Sequence, residues 1–345
     1  MMNKYTKTIF FIIGLAVFSY LINDFGLDNI ITNIKKTGWW FVPVVGIWGV
    51  VYYMNAWAWY YIIDAKKKKV SFIEIFEITI SGFAINYITP FVNLGGEPYR
   101  ILMLQKPIGT HSAVSSVILY TMLHFLSNFF FWVTAILYAL ILLPLSNELK
   151  IILIAVLLVL SFFIWFVFKR HKLGVFESLL NFIAKVPLLK RLKKKLDPKE
   201  DSLMKIDEEI KHLFNHRKKA FFSALVLDYL ARMVGVLEFL FILKAIGMDI
   251  SFMEAFYISA GSSLITNIFF FMPFQLGTLE AGLYLVLDSI KLSAGIGIYI
   301  GIINRAREFF WILIGLLLIQ FNGIKKDKKT KGKRDLLEYI SDESQ

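Results

Sequence analysis

The sequence predicts an all-α, polytopic membrane protein with about six transmembrane helices and two re-entrant helical hairpins that are inserted from opposite faces, like an inverted repeat. Of its 345 residues, 57% are hydrophobic and 33 are Phe, more than a soluble core needs. A helix crosses a bilayer of about 30 Å in about 20 residues. Several stretches without Asp, Glu, Lys or Arg reach or approach that length: 37–63, 107–147, 151–168 and 255–279. The third observation is a pair of helix-breaking motifs, one in each half of the chain.

Charge and cysteine content exclude several classes of protein. The net charge is +12, but the basic residues fall in blocks between apolar spans, as membrane topology requires, so a nucleic-acid partner is disfavoured. The absence of cysteine excludes disulfides, a thiol nucleophile and a cysteine metal site. No Gly-Lys-Ser phosphate loop or dinucleotide motif is present, so we expect no cofactor.

The first half of the chain, residues 1–168, begins with a span at 8–23 that we interpret as uncleaved. A short loop leads to Trp39 and Trp40, which open a second span that ends at residue 63. The apolar segment 71–106 is too interrupted for one crossing. Residues 107–147 predict one long tilted helix, and residues 151–168 return across the membrane.

A polar segment at 169–219, with 15 Lys or Arg against 7 Asp or Glu, is predicted to be helical and cytoplasmic. The second half, 220–324, contains a span at 220–243, an interrupted segment at 252–290 and a last span at 292–324. We therefore expect one membrane domain, 1–324, followed by a basic cytoplasmic tail at 325–345. This organisation predicts a multi-pass protein of the cytoplasmic membrane.

Basic loops are cytoplasmic, and this rule orients the two interrupted segments. Lysines 66–69, the 169–219 segment and the tail all belong inside. Segment 71–106 must then begin and end on the cytoplasmic side, and segment 252–290 must begin and end outside. Opposed broken helices in matching positions are typical of inverted-repeat transporters that bind substrate near the midplane. Alternatively, each interrupted segment is a pair of helices that both cross the membrane fully. The loops then lie on the same sides of the membrane, so this alternative remains open.

The two helix-breaking motifs share a proline and, seven residues later, a glutamate. Proline breaks a helix, and the following glycines expose backbone amides that suit a phosphate or carboxylate. Simple helix kinks, and carboxylates hydrated at the interface, are the alternatives. The substrate-binding candidates of the first motif are Asn86, Pro90, Asn93, Gly95, Gly96, Glu97 and Arg100; those of the second are Asn267, Pro273, Gln275, Gly277 and Glu280.

Charged side chains also occur inside other predicted spans. Glu97 and Arg100 can pair at a spacing of three residues, and Arg305 and Glu308 repeat that spacing on the last helix. Arg305 is a candidate phosphate ligand because a guanidinium binds phosphate in a bidentate way. We expect Asp228 and Arg232 to neutralise each other, and His124 to make a buried polar contact. His212 and His216 predict a solvated helix face, and no metal site is expected.

The motifs resemble those of a known family. One runs from Ile88, Thr89 and Pro90 to Gly95, Gly96, Glu97 and Arg100, and the other from Met272 and Pro273 through Gly277 to Glu280 and Ala281. They are similar to the paired motifs of the lysylphosphatidylglycerol synthase transmembrane region, or flippase-like domain family, over residues 5–322. Phe274 and Gln275 replace the usual Gly-Gly, so the substrate is expected to differ.

This resemblance implies lipid translocation, because some members move aminoacylated phosphatidylglycerol between leaflets and others are linked to polyprenyl-bound sugars. The chain ends 21 residues after residue 324, so it is expected to be a stand-alone membrane domain. The leading hypothesis is a translocase for a phospholipid or a polyprenyl-phosphate-linked headgroup. A membrane enzyme that transfers an aminoacyl or glycosyl group and a scaffold subunit are the rivals. The expected partner is membrane lipid, with a homo-oligomer as an option.

Overall fold

The computed structural model describes residues 12, 16, 19, 26–63, 70–89, 95–170, 200–270 and 277–342. Within these residues the regular structure is helical and contains no strand, which confirms the predicted fold class. A 3₁₀ turn, Gly38–Trp40, joins the first two helices. The helices are α1 Leu27–Thr37, α2 Phe41–Ile62, α3 Phe72–Ile88, α4 Gly96–Ile108, α5 Thr110–Leu142, α6 Asn147–Arg170, α7 Glu200–His216, α8 Lys218–Gly235, α9 Leu237–Ala245, α10 Phe252–Ile268, α11 Thr278–Ser289 and α12 Ala294–Asp342.

Three stretches of the described chain are long and apolar enough to cross a membrane: Ile30–Ile62, Thr110–Leu142 and Asn147–Lys169. They overlap the uncharged stretches predicted at 37–63, 107–147 and 151–168, but the first begins earlier than predicted, at Ile30 in α1. The predicted first span, 8–23, lies outside the described residues except at positions 12, 16 and 19. An all-helical chain with such segments is a polytopic membrane protein.

Two segments differ from the sequence-based expectation. The predicted short loop before the second span is the amphipathic helix α1, which buries Ile30 and exposes Lys35 and Lys36. The single span predicted at 220–243 is divided into α8 and α9 at Val236. The Val236 amide is shared between two carbonyl oxygens, of Arg232 at 3.2 Å and of Met233 at 3.3 Å, so the helix tightens there.

Both interrupted segments are antiparallel helical hairpins. Hairpin one is α3 with α4, and hairpin two is α10 with α11. Each first arm has 17 residues and starts with a capping box, Ser71 with Glu74 and Ser251 with Glu254. In each hairpin the first arm is about 25 Å long and the second arm is about 18–20 Å long. Each arm is therefore shorter than the hydrocarbon thickness of a bilayer.

Glycines allow the two arms of each hairpin to pack closely. A Cβ atom on Gly96 would overlap the carbonyl oxygen of Gly82, and a Cβ atom on Gly282 would lie 3.1 Å from the carbonyl oxygen of Ser262. In both hairpins the second arm therefore approaches the backbone of the first. Side chains larger than glycine at these positions would separate the arms.

Two apolar cores organise the bundle, one around each hairpin. Helix α5 contributes residues 113–126 to the core of hairpin one and then 131–139 to the core of hairpin two. Helix α12 does so in the reverse order, with 299–303 in the second core and 306–319 in the first. Each long helix thus starts in the core of the hairpin that precedes it and ends in the other.

Gly315 provides a test of the contact between α12 and hairpin one. A Cβ atom there would overlap Cβ of Ala84 and lie 3.1 Å from the carbonyl oxygen of Ile80, whereas a Cβ atom on the exposed Gly46 of α2 meets nothing within 4 Å. We expect Gly315→Ala to destabilise the protein by about 1–3 kcal/mol through overpacking. Gly46→Ala should be neutral or stabilising, because alanine is the better helix former. Thermal unfolding of both variants in one detergent checks this; equal melting temperatures would contradict the packing.

Candidate functional site

Four of the predicted site residues form one network in hairpin one. Oδ1 of Asn86 accepts a hydrogen bond from the Gly96 amide at 2.6 Å. Nδ2 of Asn86 donates to Oε1 of Glu97 at 3.5 Å, and Nη1 of Arg100 donates to the same oxygen at 3.3 Å. In this conformation the Gly96 amide is used within the protein, in contrast to the expectation that it is open to an anion. Asn86 instead fixes the geometry in which α4 presents Glu97 and Arg100.

Arg100 lies in an aromatic pocket and is 2% exposed. Its guanidinium carbon is 4.8 Å from the ring centroid of Phe83, 5.4 Å from that of Tyr120 and 5.7 Å from that of Trp59. A glycine at position 82 makes room for it, because a Cβ atom there would overlap Nε of Arg100. We call these four residues, Trp59, Phe83, Arg100 and Tyr120, the arginine pocket.

The arginine pocket contains buried polar atoms without a hydrogen bond. Nε and Nη2 of Arg100, Nε1 of Trp59 and the hydroxyl of Tyr120 have no hydrogen-bond partner. Buried donors are nearly always bonded in proteins, so a group of such donors is suited to binding an acceptor. All four atoms can donate, and two of them belong to the guanidinium cation of Arg100. The pocket therefore suits an anionic oxygen, such as that of a phosphate.

The second group of predicted residues meets where α12 passes hairpin two. Nη1 of Arg305 donates to Oε2 of Glu308 at 3.1 Å, and its Nε lies 4.0 Å from Oε1 of Glu280. Glu280 also packs against Gly301, where an added Cβ atom would lie 3.4 Å from the Glu280 side chain, an ordinary van der Waals contact. The structure thus brings together Glu280, Arg305 and Glu308, which are separated by up to 28 positions in the sequence.

A buried ion pair next to this group was not predicted as part of the site. Arg307 donates to both carboxylate oxygens of Glu238, at 2.9 Å and 3.2 Å. Nε1 of Trp48 donates to Oε2 of Glu238 at 2.7 Å, and the Trp48 ring centroid is 3.9 Å from the guanidinium carbon of Arg307. The sequence shows each charge inside an apolar span, but it does not show that residues 69 positions apart are partners.

Arg307 also links this pair to the previous group, because its Nη1 lies 4.0 Å from Oε1 of Glu308. We call Glu238, Glu280, Arg305, Arg307 and Glu308 the carboxylate cluster. With all five side chains ionised, three carboxylates face two guanidinium groups and the cluster has a charge of about −1. The cluster thus has an excess of carboxylates, whereas the cation of the arginine pocket is paired with the single carboxylate of Glu97.

A third polar group links α5 to α8. Nδ1 of His124 lies 3.0 Å from Oδ1 of Asp228, and Nε of Arg232 lies 3.7 Å from Oδ2 of Asp228. The predicted pairing of Asp228 with Arg232 is present. The contact between His124 and Asp228 was not predicted, because 104 residues separate the two.

The remaining predicted residues are not part of these groups. Asn267 is exposed and its Nδ2 donates to the carbonyl oxygen of Ser263 at 2.9 Å, within its own helix. Gly277 has a φ of 75° and starts α11 in the left-handed region that favours glycine. Gly95 lies next to Thr89, and the structure does not describe residues 90–94 and 271–276 of the two connecting loops. The predicted residues that lie outside the described parts are Pro90, Asn93, Pro273 and Gln275.

The buried pair of Arg307 with Glu238 is expected to support the fold. Arg307→Gln leaves a buried carboxylate uncompensated, which costs about 3–5 kcal/mol. Arg307→Lys keeps the charge but loses the bidentate geometry, so we expect a smaller loss. Lys244→Gln, at an exposed site on α9, is the matched control. Unfolding in detergent measures the stabilities, and a glutamine variant as stable as the control would contradict a structural role.

Comparison with known proteins agrees with the motifs and the fold. Residues 8–315 match the family described as lysylphosphatidylglycerol synthase TM region. No match was found to a curated protein or to a solved structure. The family match includes both hairpins, the arginine pocket and the carboxylate cluster. It covers most of the 345 residues, so this chain belongs to the lysylphosphatidylglycerol synthase TM region family.

Proposed function

We propose that the protein is a lipid translocase, which moves a phospholipid or a polyprenyl-phosphate-linked headgroup between leaflets. The observation that carries the proposal is the arginine pocket, where a guanidinium with two nitrogens that form no hydrogen bond is buried inside an apolar helix bundle. A charge at membrane depth is expensive and by default marks a substrate or ion pathway. A lipid phosphate supplies the anionic acceptor that these nitrogens lack.

A continuous set of contacts joins the arginine pocket to the carboxylate cluster. The Phe83 ring lies 5.2 Å from that of Tyr52, and the Tyr52 ring lies 5.6 Å from that of Trp48. Trp48 contacts both Glu238 and Arg307. A headgroup that moves between the hairpins would meet hydrogen-bond donors without partners at one end and an excess of carboxylates at the other. Aromatic rings between the two sites suit lipid glycerol and acyl carbons.

Specific roles follow for the predicted residues. Arg100 binds the phosphate, while Asn86, Gly96 and Glu97 hold α4 in place. The carboxylate cluster, with Glu280 as its most exposed described member at 31% of its side chain, binds a cationic headgroup or a coupling ion. Gly95, Gly277 and the loop residues Pro90, Asn93, Pro273 and Gln275 are proposed to shape the two hairpin tips.

We place the hairpins as re-entrant elements inserted from opposite faces. Their short arms and the reversed order in which α5 and α12 pass through the two cores support this placement. The lysines at 66–69, the 169–219 segment and the C-terminal tail lie on the cytoplasmic side of the cell membrane in this arrangement.

A nearly closed pocket around Arg100 requires movement for a lipid to enter. Arg100 is 2% exposed and is surrounded by rings from α2, α3 and α5. Hairpin one must therefore shift against α2 and α5 to admit a headgroup. Alternation between such a state and the closed one is the usual mechanism of inverted-repeat transporters.

A second function, group transfer to or from a lipid-linked substrate, is favoured by one observation. Oε2 of Glu97 and Oε2 of Glu280 are buried without a hydrogen-bond partner. A carboxylate with a free oxygen can act as a general acid or base when a substrate is in reach. Covalently altered lipid after incubation with purified protein distinguishes this activity from translocation.

Replacement of Arg100 tests the proposed translocase. In proteoliposomes with fluorescently labelled phosphatidylglycerol, a membrane-impermeant quencher reports how fast label moves between leaflets. We expect Arg100→Gln to slow this movement about tenfold or more, because hydrogen bonds to charged groups contribute about 1.5–3 kcal/mol. Lys106→Gln on the exposed part of the same helix should leave the rate unchanged.

Two controls accompany this measurement. Thermal unfolding shows whether both variants remain folded in the detergent used for reconstitution. Mass spectrometry of the vesicle lipids shows whether the headgroup is unchanged. Equal translocation by folded Arg100→Gln and wild-type protein would refute the assigned role of Arg100.

A further inference from the structure

His124, Asp228 and Arg232 form a buried polar group that the proposed translocation does not use. Asp228 is fully buried, while the His124 side chain is 30% exposed. One carboxylate oxygen of Asp228 lies 3.0 Å from Nδ1 of His124 and the other lies 3.7 Å from Nε of Arg232. His124 is thus a titratable ring that is held by a buried anion and is not sealed from its surroundings.

The position of Arg232 is fixed by bonds other than its ion pair. Its Nη2 donates to the carbonyl oxygen of His124 at 2.8 Å, and its Nε donates to the hydroxyl of Ser127 at 3.1 Å. The charges of Arg232 and Asp228 therefore compensate each other whether the His124 ring is neutral or protonated. With neutral His124 the group has no net charge, and protonation of His124 gives it a charge of about +1.

The charged groups around His124 come from two neighbouring helices. Asp228 and Arg232 face it from α8, and α4 contributes Arg100 together with Glu97, which is paired with Arg100 at 3.3 Å. Its own helix contributes Tyr120, whose ring centroid is 5.8 Å away, and α3 contributes the uncharged Phe83 at 6.0 Å. Within the described residues, no charged side chain of α2, α6, α7 or α10 hydrogen-bonds or pairs with His124.

His124 shares two neighbours with the arginine pocket. The rings of Phe83 and Tyr120 contact both His124 and the guanidinium of Arg100. The Tyr120 hydroxyl is buried and has no hydrogen-bond partner. A proton on His124 therefore places a second positive charge next to the pocket that is proposed to receive a phosphate. In an apolar bundle this charge is poorly screened.

We propose that His124, with Asp228 and Arg232, is a proton-binding site that couples proton uptake to anion binding in the arginine pocket. The inference rests on the proposed phosphate site at Arg100 and adds a coupling ion to it. Protonated His124 attracts the bound phosphate, and by linkage a bound phosphate favours the protonated ring. Proton and anionic lipid are therefore loaded together and released together. A pH difference across the membrane then biases the direction of translocation.

The direction of the pH effect follows from the charge. Lowering the pH favours the protonated ring and should therefore tighten anion binding. Couplings between sites are commonly five-fold or more, so we expect short-chain phosphatidylglycerol to bind about five- to ten-fold more tightly near pH 6 than near pH 8. Titration calorimetry of the full chain in detergent measures both affinities.

Two histidine variants separate this coupling from general effects of pH. His124→Asn places an amide nitrogen where Nδ1 lies, so it can still donate to Asp228 but cannot acquire a charge. It should bind at both pH values with the wild-type affinity of high pH. His111→Asn, at an exposed position of the same helix, should keep the wild-type pH dependence. An unchanged pH dependence in His124→Asn would overturn the proposal.

Proton uptake by the unmodified protein gives a second test that needs no substitution. Addition of short-chain phosphatidylglycerol in weak buffer should withdraw a fraction of one proton per bound lipid, detected with a pH-indicator dye. Binding that depends on Arg100 but takes up no proton overturns the coupling alone. Binding that is equally strong in Arg100→Gln overturns the proposed phosphate site, and the coupling with it.

Discussion

The guanidinium of Arg100 joins four helices of the bundle. It extends from α4, fits against Gly82 of α3, and contacts aromatic rings of α2, α3 and α5. A buried cation in an apolar bundle is tolerated only with compensation, here by Glu97 at 3.3 Å and by the electron-rich ring faces. Hairpin one can therefore pack in its observed position only because Gly82 leaves room for this side chain and Glu97 accompanies it.

The two hairpins share a plan but differ in chemistry. Both begin with a capping box, both bring their arms together at glycines, and each is followed by a long helix that runs through both cores. In hairpin one, Asn86 binds across the hairpin to the Gly96 amide, whereas Asn267 in hairpin two binds within its own helix. The first hairpin presents buried donors and the second faces an excess of carboxylates. A dipolar or charged headgroup is the kind of ligand that benefits from both.

The sequence was sufficient to predict those parts of the fold that depend on local chemistry. Uncharged stretches predicted the long spans, Pro and Gly predicted the two hairpins, and three-residue spacing predicted the pairs of Glu97 with Arg100 and of Arg305 with Glu308. These signals are local because hydropathy, helix breaking and helical periodicity act within a few turns.

Contacts between distant helices were not predictable in the same way. Glu238 with Arg307 and His124 with Asp228 depend on how helices pack, which local sequence patterns do not reveal. The break between α8 and α9 and the helical character of α1 were also missed. In α1 the apolar stripe is short, and tertiary contacts such as the hydrogen bond of Thr37 with Tyr299 at 2.7 Å add to its stability.

The central claim is that the arginine pocket receives a lipid phosphate. An electron cryomicroscopy structure of the full chain in nanodiscs of phosphatidylglycerol tests it most directly. The account predicts headgroup density with phosphate oxygens within about 3 Å of Nε or Nη2 of Arg100, the distance of a charge-assisted hydrogen bond. Trp59, Phe83 and Tyr120 should have moved apart to admit the headgroup. Resolved lipid phosphates elsewhere in the bundle, with the three rings still closed around Arg100, would contradict it.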